Sequence, residues 1–249
     1  MTGGLRIQIC GRIAIERDGA RLEDGLPGRQ GRLLFVYLVA NRQRPITRDE
    51  LVDALWDRPP PSPDAALSAL LSKLRRAIGP EWLGAGAQLS VALPPDAHVD
   101  LEAAHAAIHR AESALALGDP ARAWGPAQVA LFTARRGFLA GEDAPWIEET
   151  RRHLAALNLR ALEAYGLAAL RLGGTELAAA ERVGRELVVL APYRESGHRL
   201  LMEALAASGN GAESLRVYDD LRLRLRDDLG IAPCGATRAL HEELVLTSS

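Results

Sequence analysis

The side chains best suited to binding another molecule lie on one predicted helix, residues 62–79. An apolar stripe runs along it at helical spacing, formed by Leu67, Leu71, Leu74 and Ile78. The opposite face carries small and basic side chains, namely Ser68, Ala69, Ser72, Lys73 and Arg76, with Arg75 beside them. Small side chains let a helix approach base edges, and lysine and arginine bind phosphate groups. This face is therefore suited to DNA, and an ordinary helix with solvated charges is the alternative.

Elsewhere in the sequence, histidine, serine and cysteine residues do not form a motif for catalysis or for metal binding. His105 and His109 lie four positions apart on one predicted helix, but no HExxH glutamate and no neighbouring cysteine accompanies them. The sequence has no GxxxxGK[ST] phosphate loop, no nucleophile elbow around Ser196 or Ser214, and only two cysteines. We therefore predict no catalytic residue, no metal and no cofactor, and hence no enzyme.

Two further helices and a set of strands are predicted to position the 62–79 helix. Period-two alternation over residues 5–22, with a turn at Asp18-Gly19, predicts a short β-meander. The apolar run 33–40 predicts a buried helix from about Gly28 to Asn41, with a strand as the alternative. Residues 86–93 predict a last strand or hairpin.

Capping signals mark where the next two helices begin. Thr47 to Glu50 read Thr-Arg-Asp-Glu, a capping box with Thr47 as N-cap, and the prolines at 59–61 end the helix that follows. Ser62 is the N-cap of the third helix and Pro63 occupies its favoured first position. Two helices joined by a short linker, with strands on either side, are typical of a winged helix-turn-helix.

The chain from Asp100 onward predicts helices only, about seven of them. Similar glycine turns recur, and Gly173 and Gly209 are 36 residues apart, close to the 34 residues of a tetratricopeptide repeat. Residues 147–190 and 192–229 form the clearer pair of repeats. In the pair 101–134 we expect Gly125-Pro126 to interrupt the second helix.

Length and charge agree with this organisation. The 249 residues favour two domains, which we place at 1–96 and 97–249. Residues 1–95 hold 13 basic and 10 acidic side chains, and the remainder holds 17 basic and 22 acidic, so the first part is the positive one. No apolar run approaches the roughly 18 residues of a membrane span, and no signal peptide is visible. We therefore expect a soluble cytoplasmic protein with no membrane partner.

These elements together resemble a known family. The segments GRQGRLLFVYLVANRQRPITRDELVDALW and PPPSPDAALSALLSKLRRAIGP resemble the winged-helix domain of Streptomyces antibiotic regulatory protein (SARP) activators. The segments PWIEETRRHLAALNLRALEAYGLAALRLG, LVVLAPYRESGHRLLMEALAASGNGAESLRVYDDLRLRLRDDLGIAP and TRALHEEL are similar to the bacterial transcriptional activation domain. The resemblance implies an α+β winged helix-turn-helix domain followed by an all-α, tetratricopeptide-like domain.

The resemblance also implies partners and roles. Such proteins activate transcription of biosynthetic gene clusters by binding direct repeats in double-stranded DNA, often as side-by-side dimers, and by recruiting RNA polymerase holoenzyme. The DNA-binding residues it implies lie on the recognition helix and at the start of the first helix: Arg29, Ser62, Ser68, Ala69, Ser72, Lys73, Arg75 and Arg76. The loop that faces the polymerase corresponds to Asp57, Arg58, Pro59 and Pro60.

Two departures from the family pattern bear on DNA binding. The wing stretch from Gly86 to Val91 lacks the usual Gly-Tyr pair and any basic residue, and Ser68, Ala69 and Leu70 stand where relatives often have longer polar side chains. Fewer phosphate contacts lower non-specific affinity, so we expect weak monomer binding and cooperative binding to tandem sites. The alternative is a protein-interaction scaffold, or a small-molecule-sensing regulator, whose DNA-binding face is weak or vestigial.

Overall fold

The structure is a computed structural model that describes residues 4–84 and 88–247. The chain forms two compact units that alternate along the sequence. The first contains the described chain up to Ala103 together with Arg136–Leu154, and the second contains Ala104–Arg135 and the chain from Ala155 onward. The domain limits 1–96 and 97–249 stay a prediction, because compact units record packing and not the limits of independent domains.

A small sheet forms one layer of the first unit. Its strands are β1 (Arg6–Gln8), β2 (Ala14–Arg17), β3 (Ala20–Arg21) and β6 (His98–Val99), in the order β3-β2-β1-β6. The first three form the predicted meander, whose turn places Asp18 and Gly19 at positive φ. β6 pairs parallel to β1 and joins Val99 to Ile7. A two-residue strand has no periodicity, so the sequence did not predict it.

Three helices form the other layer: α1 (Gly28–Ala40), α2 (Arg48–Leu55) and α3 (Pro63–Ile78). The run 33–40 is helical, as predicted, and all of its residues up to Val39 are buried. Thr47 caps α2 as predicted, because its hydroxyl accepts a hydrogen bond from the Glu50 amide at 3.3 Å.

The reciprocal bond of the predicted capping box is wrong, whereas Ser62 is the N-cap residue of α3 as predicted. The Glu50 carboxylate does not return to the Thr47 amide, as a capping box requires. It accepts hydrogen bonds from the Tyr37 hydroxyl at 2.6 Å and from the Arg44 guanidinium, which fasten α1 to the start of α2. Ser62 occupies the N-cap position of α3, but its side chain makes no capping bond there.

The wing is described at its base. β4 (Ile46–Thr47) pairs antiparallel with β5 (Gln88–Leu89), and the Gly84 amide donates to the Ser90 carbonyl at 3.0 Å. Of the predicted strand or hairpin over 86–93, the structure shows the strand Gln88–Leu89 and an isolated bridge between Val91 and Leu83. The first residues of that predicted range, and with them part of the stretch that lacks the Gly-Tyr pair, lie outside the described residues.

A later stretch of chain completes the first unit. We call residues 136–151 the strap. The Gly11 amide donates to the Gly137 carbonyl at 2.9 Å, and Cys10 forms an isolated bridge with Phe138. Within the strap, Arg151 holds several backbone segments together. Its guanidinium donates to three carbonyl groups: those of Phe138 at 3.0 Å, Leu139 at 2.6 Å and Glu142 at 2.9 Å.

The described chain after residue 99 contains seven α-helices, as predicted. They are α4 (Asp100–Ala116), α5 (Pro120–Ala134), α6 (Pro145–Leu172), α7 (Leu177–Leu190), α8 (Glu195–Ala207), α9 (Gly211–Leu229) and α10 (Gly235–Thr247). α4 and α6 contribute residues to both units. In the second unit α7, α8 and α9 pack in succession. None of the helices in the described ranges is both long enough and apolar enough to cross a membrane.

The expected interruption at Gly125-Pro126 is wrong. α5 runs through Pro126 without a break. Proline removes one backbone hydrogen bond and frees the carbonyl four residues earlier, that of Arg122. Arg122 is exposed, so water can donate a hydrogen bond to that carbonyl. Ala123, Ala127 and other buried residues on both sides of the proline stabilise the helix by packing.

Candidate nucleic-acid interface

The predicted recognition helix presents its polar face to solvent. The four residues of its apolar stripe are at most 5% exposed, which fixes the rotation of α3 about its axis. The opposite side carries the exposed residues Ser68, Ala69, Ser72, Lys73 and Arg76, and exposed Ser62 precedes the helix. Seven of the eight predicted DNA-binding residues therefore lie on this helix or at its N-cap, and six of them, all but Arg75, are exposed.

Arg48 also belongs to this surface, and the sequence did not single it out for DNA binding. Its guanidinium donates to the Ser68 hydroxyl at 2.7 Å and to the Asp64 carbonyl at 3.1 Å. It also pairs with the Asp64 carboxylate at 3.3 Å. These bonds tie the start of α2 to the first turns of α3. The only signal in the sequence is a basic residue in the first turn of α2, and its partners lie 16 and 20 positions away.

Arg75 differs from Lys73 and Arg76, which are both exposed. It is partly buried, and its guanidinium donates to the Gly84 carbonyl at 2.9 Å and to the Leu83 carbonyl at 3.4 Å. These carbonyls lie where the chain enters the wing. Arg75 therefore anchors the base of the wing to α3, and a role in DNA contact stays a prediction.

Arg29 pairs with the strap and not with α3. It stands in the first turn of α1, and its guanidinium donates to the Glu142 carboxylate of the strap at 2.7 Å. The opposite end of α1, roughly 18 Å away at 1.5 Å per residue, is the end that Arg44 and Tyr37 fasten to Glu50. Since Glu142 already balances its charge, Arg29 as a phosphate contact also stays a prediction.

The corner between α1 and α2 is electrostatically well matched. The Arg44 guanidinium, together with the Tyr37 hydroxyl, holds the pKa of the Glu50 carboxyl below its usual range. Burial, together with the adjacent Glu50 carboxylate, raises the pKa of Tyr37 to about 12. All three groups therefore keep their protonation states at neutral pH, so the hydrogen bonds that join this corner do not depend on pH there.

The four residues predicted to face the polymerase form the loop between α2 and α3. Asp57, Arg58 and Pro59 are exposed, and Pro60 is partly exposed. No cluster of three or more histidine, cysteine, aspartate or glutamate side chains placed to hold a metal occurs in the described residues. The chemistry that this surface offers is therefore contact through charge, hydroxyl groups and shape.

Comparison with protein families divides the chain into a winged-helix part and a helical part. Residues 26–85 match the family described as "Transcriptional regulatory protein, C terminal". Residues 99–245 match the "Bacterial transcriptional activator domain". The first match covers α1, α2, α3 and the entry to the wing, and the second covers α4 onward, including the strap.

Several curated proteins are similar along nearly all of this chain. Regulatory protein AfsR of Streptomyces coelicolor is 33% identical over 246 residues, which is 98% of this chain and 24% of AfsR. Transcriptional regulator RedD of the same organism is 30% identical, over 98% of this chain and 71% of RedD. Transcriptional regulatory protein EmbR of Mycobacterium tuberculosis is 29% identical, over 95% of this chain and 62% of EmbR. The chain thus spans about a quarter of AfsR and less than two thirds of EmbR.

A solved structure agrees with these similarities. The structure of Mycobacterium tuberculosis EmbR in complex with a low affinity phosphopeptide has a TM-score of 0.84 to this chain at 26% sequence identity, covering 98% of this chain and 66% of EmbR. The predicted fold class, a winged helix followed by a helical domain, is confirmed. Because the activator-domain family matches more than half of the chain and RedD is similar over most of its length, this chain belongs to the SARP family of transcriptional activators.

Proposed function

We propose that this protein is a sequence-specific DNA-binding transcriptional activator that acts in the cytoplasm. The observation that carries the proposal is the exposed face of α3, where small side chains and two free-standing cations lie opposite a fully buried stripe. A helix fixed in this way can enter a major groove, with Ser68, Ala69 and Ser72 near base edges and with Lys73 and Arg76 at phosphates.

The finer parts of the proposal come from the family. The protein binds direct repeats upstream of biosynthetic gene clusters as a side-by-side dimer and recruits RNA polymerase holoenzyme through the loop Asp57–Pro60. AfsR and RedD are named as regulators, and the activator-domain match supports activation. With few cations on α3, each protomer makes few phosphate contacts, so we propose that affinity arises from cooperative binding to the tandem sites.

The test is fluorescence anisotropy of the full chain on DNA from upstream of its own and neighbouring genes, over a salt series. We expect saturable binding that weakens strongly in the K73A/R76A variant. Since each phosphate contact releases about 0.9 counterions, the loss of two contacts makes the slope of log K against log salt shallower by about 1.8. The matched control is R182A/R238A, which removes two exposed arginines of the second unit. It is expected to leave both affinity and slope unchanged.

Single variants separate the remaining candidates. R75A is expected to lower affinity with little change of slope, because Arg75 holds the base of the wing. R29A lowers the slope by about 0.9 only if Arg29 contacts a phosphate. A half-site that binds as tightly as the tandem repeat contradicts the cooperative model. Absence of binding to every fragment, even at low salt, contradicts the proposal as a whole and favours the protein-interaction scaffold.

A further inference from the structure

The C-terminal end of α2 is capped by an indole from a distant part of the chain. The Trp146 Nε1–H donates to the Ala54 carbonyl at 3.0 Å across 92 positions. The last four carbonyl groups of a helix lack partners within it. In α2 the Val52 carbonyl accepts from the Trp56 amide at 3.1 Å, and Ala54 is too near the helix end to find such a partner. Trp146 supplies the partner for the Ala54 carbonyl, and Ala54 is three residues before Asp57.

The loop that follows depends on its ends for its direction. Pro59, Pro60 and Pro61 have no N–H groups and have fixed φ angles, so this segment is stiff and cannot hold itself by its own amide hydrogen bonds. At its far end Ser62 makes no side-chain cap, although its carbonyl accepts from the Ala66 amide at 3.1 Å. The direction of a stiff segment is set by the elements that hold its ends. Arg48 holds the far end at Asp64 and the Trp146 bond holds the near end, so the direction of the loop depends on the Trp146 bond as well.

Trp146 is itself held on both sides. Its ring packs edge to face against Tyr37, with centroids 5.0 Å apart, and against Phe138, with centroids 5.9 Å apart. Tyr37 is fixed by its hydrogen bond to Glu50, and Phe138 by the Arg151 guanidinium at its carbonyl. All of these groups belong to the first unit. The indole therefore has little freedom to leave the Ala54 carbonyl.

We infer that Trp146 is a positioning residue for the loop Asp57–Pro60, acting as the C-cap of α2. The inference rests on the proposed function in one respect, the contact of that loop with RNA polymerase. As a consequence, the direction of a loop in the region that matches the winged-helix family depends on Trp146, which lies in the region that matches the activator domain. A winged helix lacking the strap would keep its recognition helix face but present the polymerase loop in a range of directions.

The experiment uses the full chain with the W146F substitution, which removes the N–H donor and keeps an aromatic ring between Tyr37 and Phe138. The matched control is W124F, because Trp124 is a partly buried tryptophan that packs against Tyr165 in the second unit. A third variant, R58A, alters the loop itself. Each is measured for affinity on the upstream DNA fragment that the anisotropy test selects, for hydrogen exchange at the Trp56 amide, which donates to the Val52 carbonyl, and for in vitro transcription with Streptomyces coelicolor RNA polymerase holoenzyme.

For W146F we expect unchanged DNA affinity, within about twofold, because no residue of the α3 face is touched. We expect exchange at the Trp56 amide to accelerate about fivefold, the factor that corresponds to one ordinary neutral hydrogen bond. Activated transcription should fall by a similar factor, while W124F behaves as the wild type in all three measurements. This separation of activation from DNA binding is the signature of a positioning role, since general loss of structure lowers both together.

The other outcomes are distinguishable. Unchanged exchange at the Trp56 amide in W146F overturns the inference, and so does a parallel loss of DNA affinity, which assigns Trp146 to the fold of the unit. If exchange accelerates but R58A and W146F both activate normally, Trp146 positions the loop and the proposed polymerase contact is wrong. If R58A fails to activate while W146F activates fully, the polymerase contact stands and the positioning role is overturned.

Discussion

Substitution of Gly184 by alanine tests the close packing of α7 against α8, and the structure sets its sign. A Cβ atom at Gly184 would lie 2.9 Å from both Cα and Cβ of Leu201 and 3.2 Å from its amide nitrogen. Two of these three atoms belong to the backbone, so no side-chain rotation relieves the clash. Since unstrained carbon atoms stay about 3.5 Å apart, α7 and α8 must separate by about 0.6 Å.

That separation opens the packed interface between α7 and α8. Forcing extra volume into a packed core costs about 1–3 kcal/mol. For G184A we therefore expect the free energy of unfolding to fall by about 2 kcal/mol, which corresponds to a loss of about 4–8 °C in Tm for a chain of this size. Urea and thermal unfolding followed by circular dichroism measure both quantities.

The control is the same substitution where there is room for it. Gly235 opens α10, is exposed, and has no atom within 4 Å of a built Cβ. G235A is expected to stabilise the protein by about 0.4–1 kcal/mol, because alanine lowers the entropy of the unfolded chain. Opposite signs for one chemical change isolate the packing effect. Equal or greater stability of G184A relative to the wild type would refute the close approach of α7 and α8.

Two further predictions concern the first unit. The Glu23 carboxylate accepts hydrogen bonds from Arg21 Nε at 2.6 Å and from the Ile15 amide at 3.1 Å, and the Arg21 bond is the main cause that lowers its pKa from 4.5 to about 2. A lowered folded-state pKa means that the stabilisation is complete above pH 4.5 and disappears as the pH falls through 2, so Tm measured between pH 2 and 5 should depend less on pH in E23Q than in the wild type. An equal pH dependence would contradict this assignment. T47A removes the α2 cap and is expected to lower the free energy of unfolding by about 1 kcal/mol in urea titrations, whereas T47S should retain most of the stability.

Local signals in the sequence predicted much of the first unit. The Leu67, Leu71, Leu74 and Ile78 spacing predicted both α3 and its exposed face, because helical periodicity decides which side is buried whatever the partner is. Thr47 predicted the start of α2 for a similar reason, since its capping bond spans three residues. Seven helices after residue 99 followed from glycine turns and periodicity. The exact path of α5 did not, because burial on both sides of Pro126 outweighs the local cost of a proline.

The candidate site was predicted less completely than the fold. Six of the eight residues proposed for DNA binding share one surface, and that follows from the α3 periodicity. Arg75 and Arg29 carry the same charge as Lys73 and Arg76, and no local pattern separates them. Their partners, the Gly84 carbonyl and the Glu142 carboxylate, separate them in the structure.

By itself, the sequence determined the order of the helices and of strands β1 to β3, the rotation of α3 and, through motifs spread over the whole chain, the family. The first two properties depend on neighbours within a turn or two of helix, and the family depends on the order of residues along the chain. Only the tertiary structure decided that Arg48 joins the α3 surface, that Arg151 gathers the strap, and that Trp146 caps α2. Each of these is a directional hydrogen bond to a main-chain or hydroxyl group, and Trp146 and Ala54 are 92 positions apart. Because every residue type offers the same backbone carbonyl, the identity of Ala54 carries no sign of its partner, and only folding brings the two together.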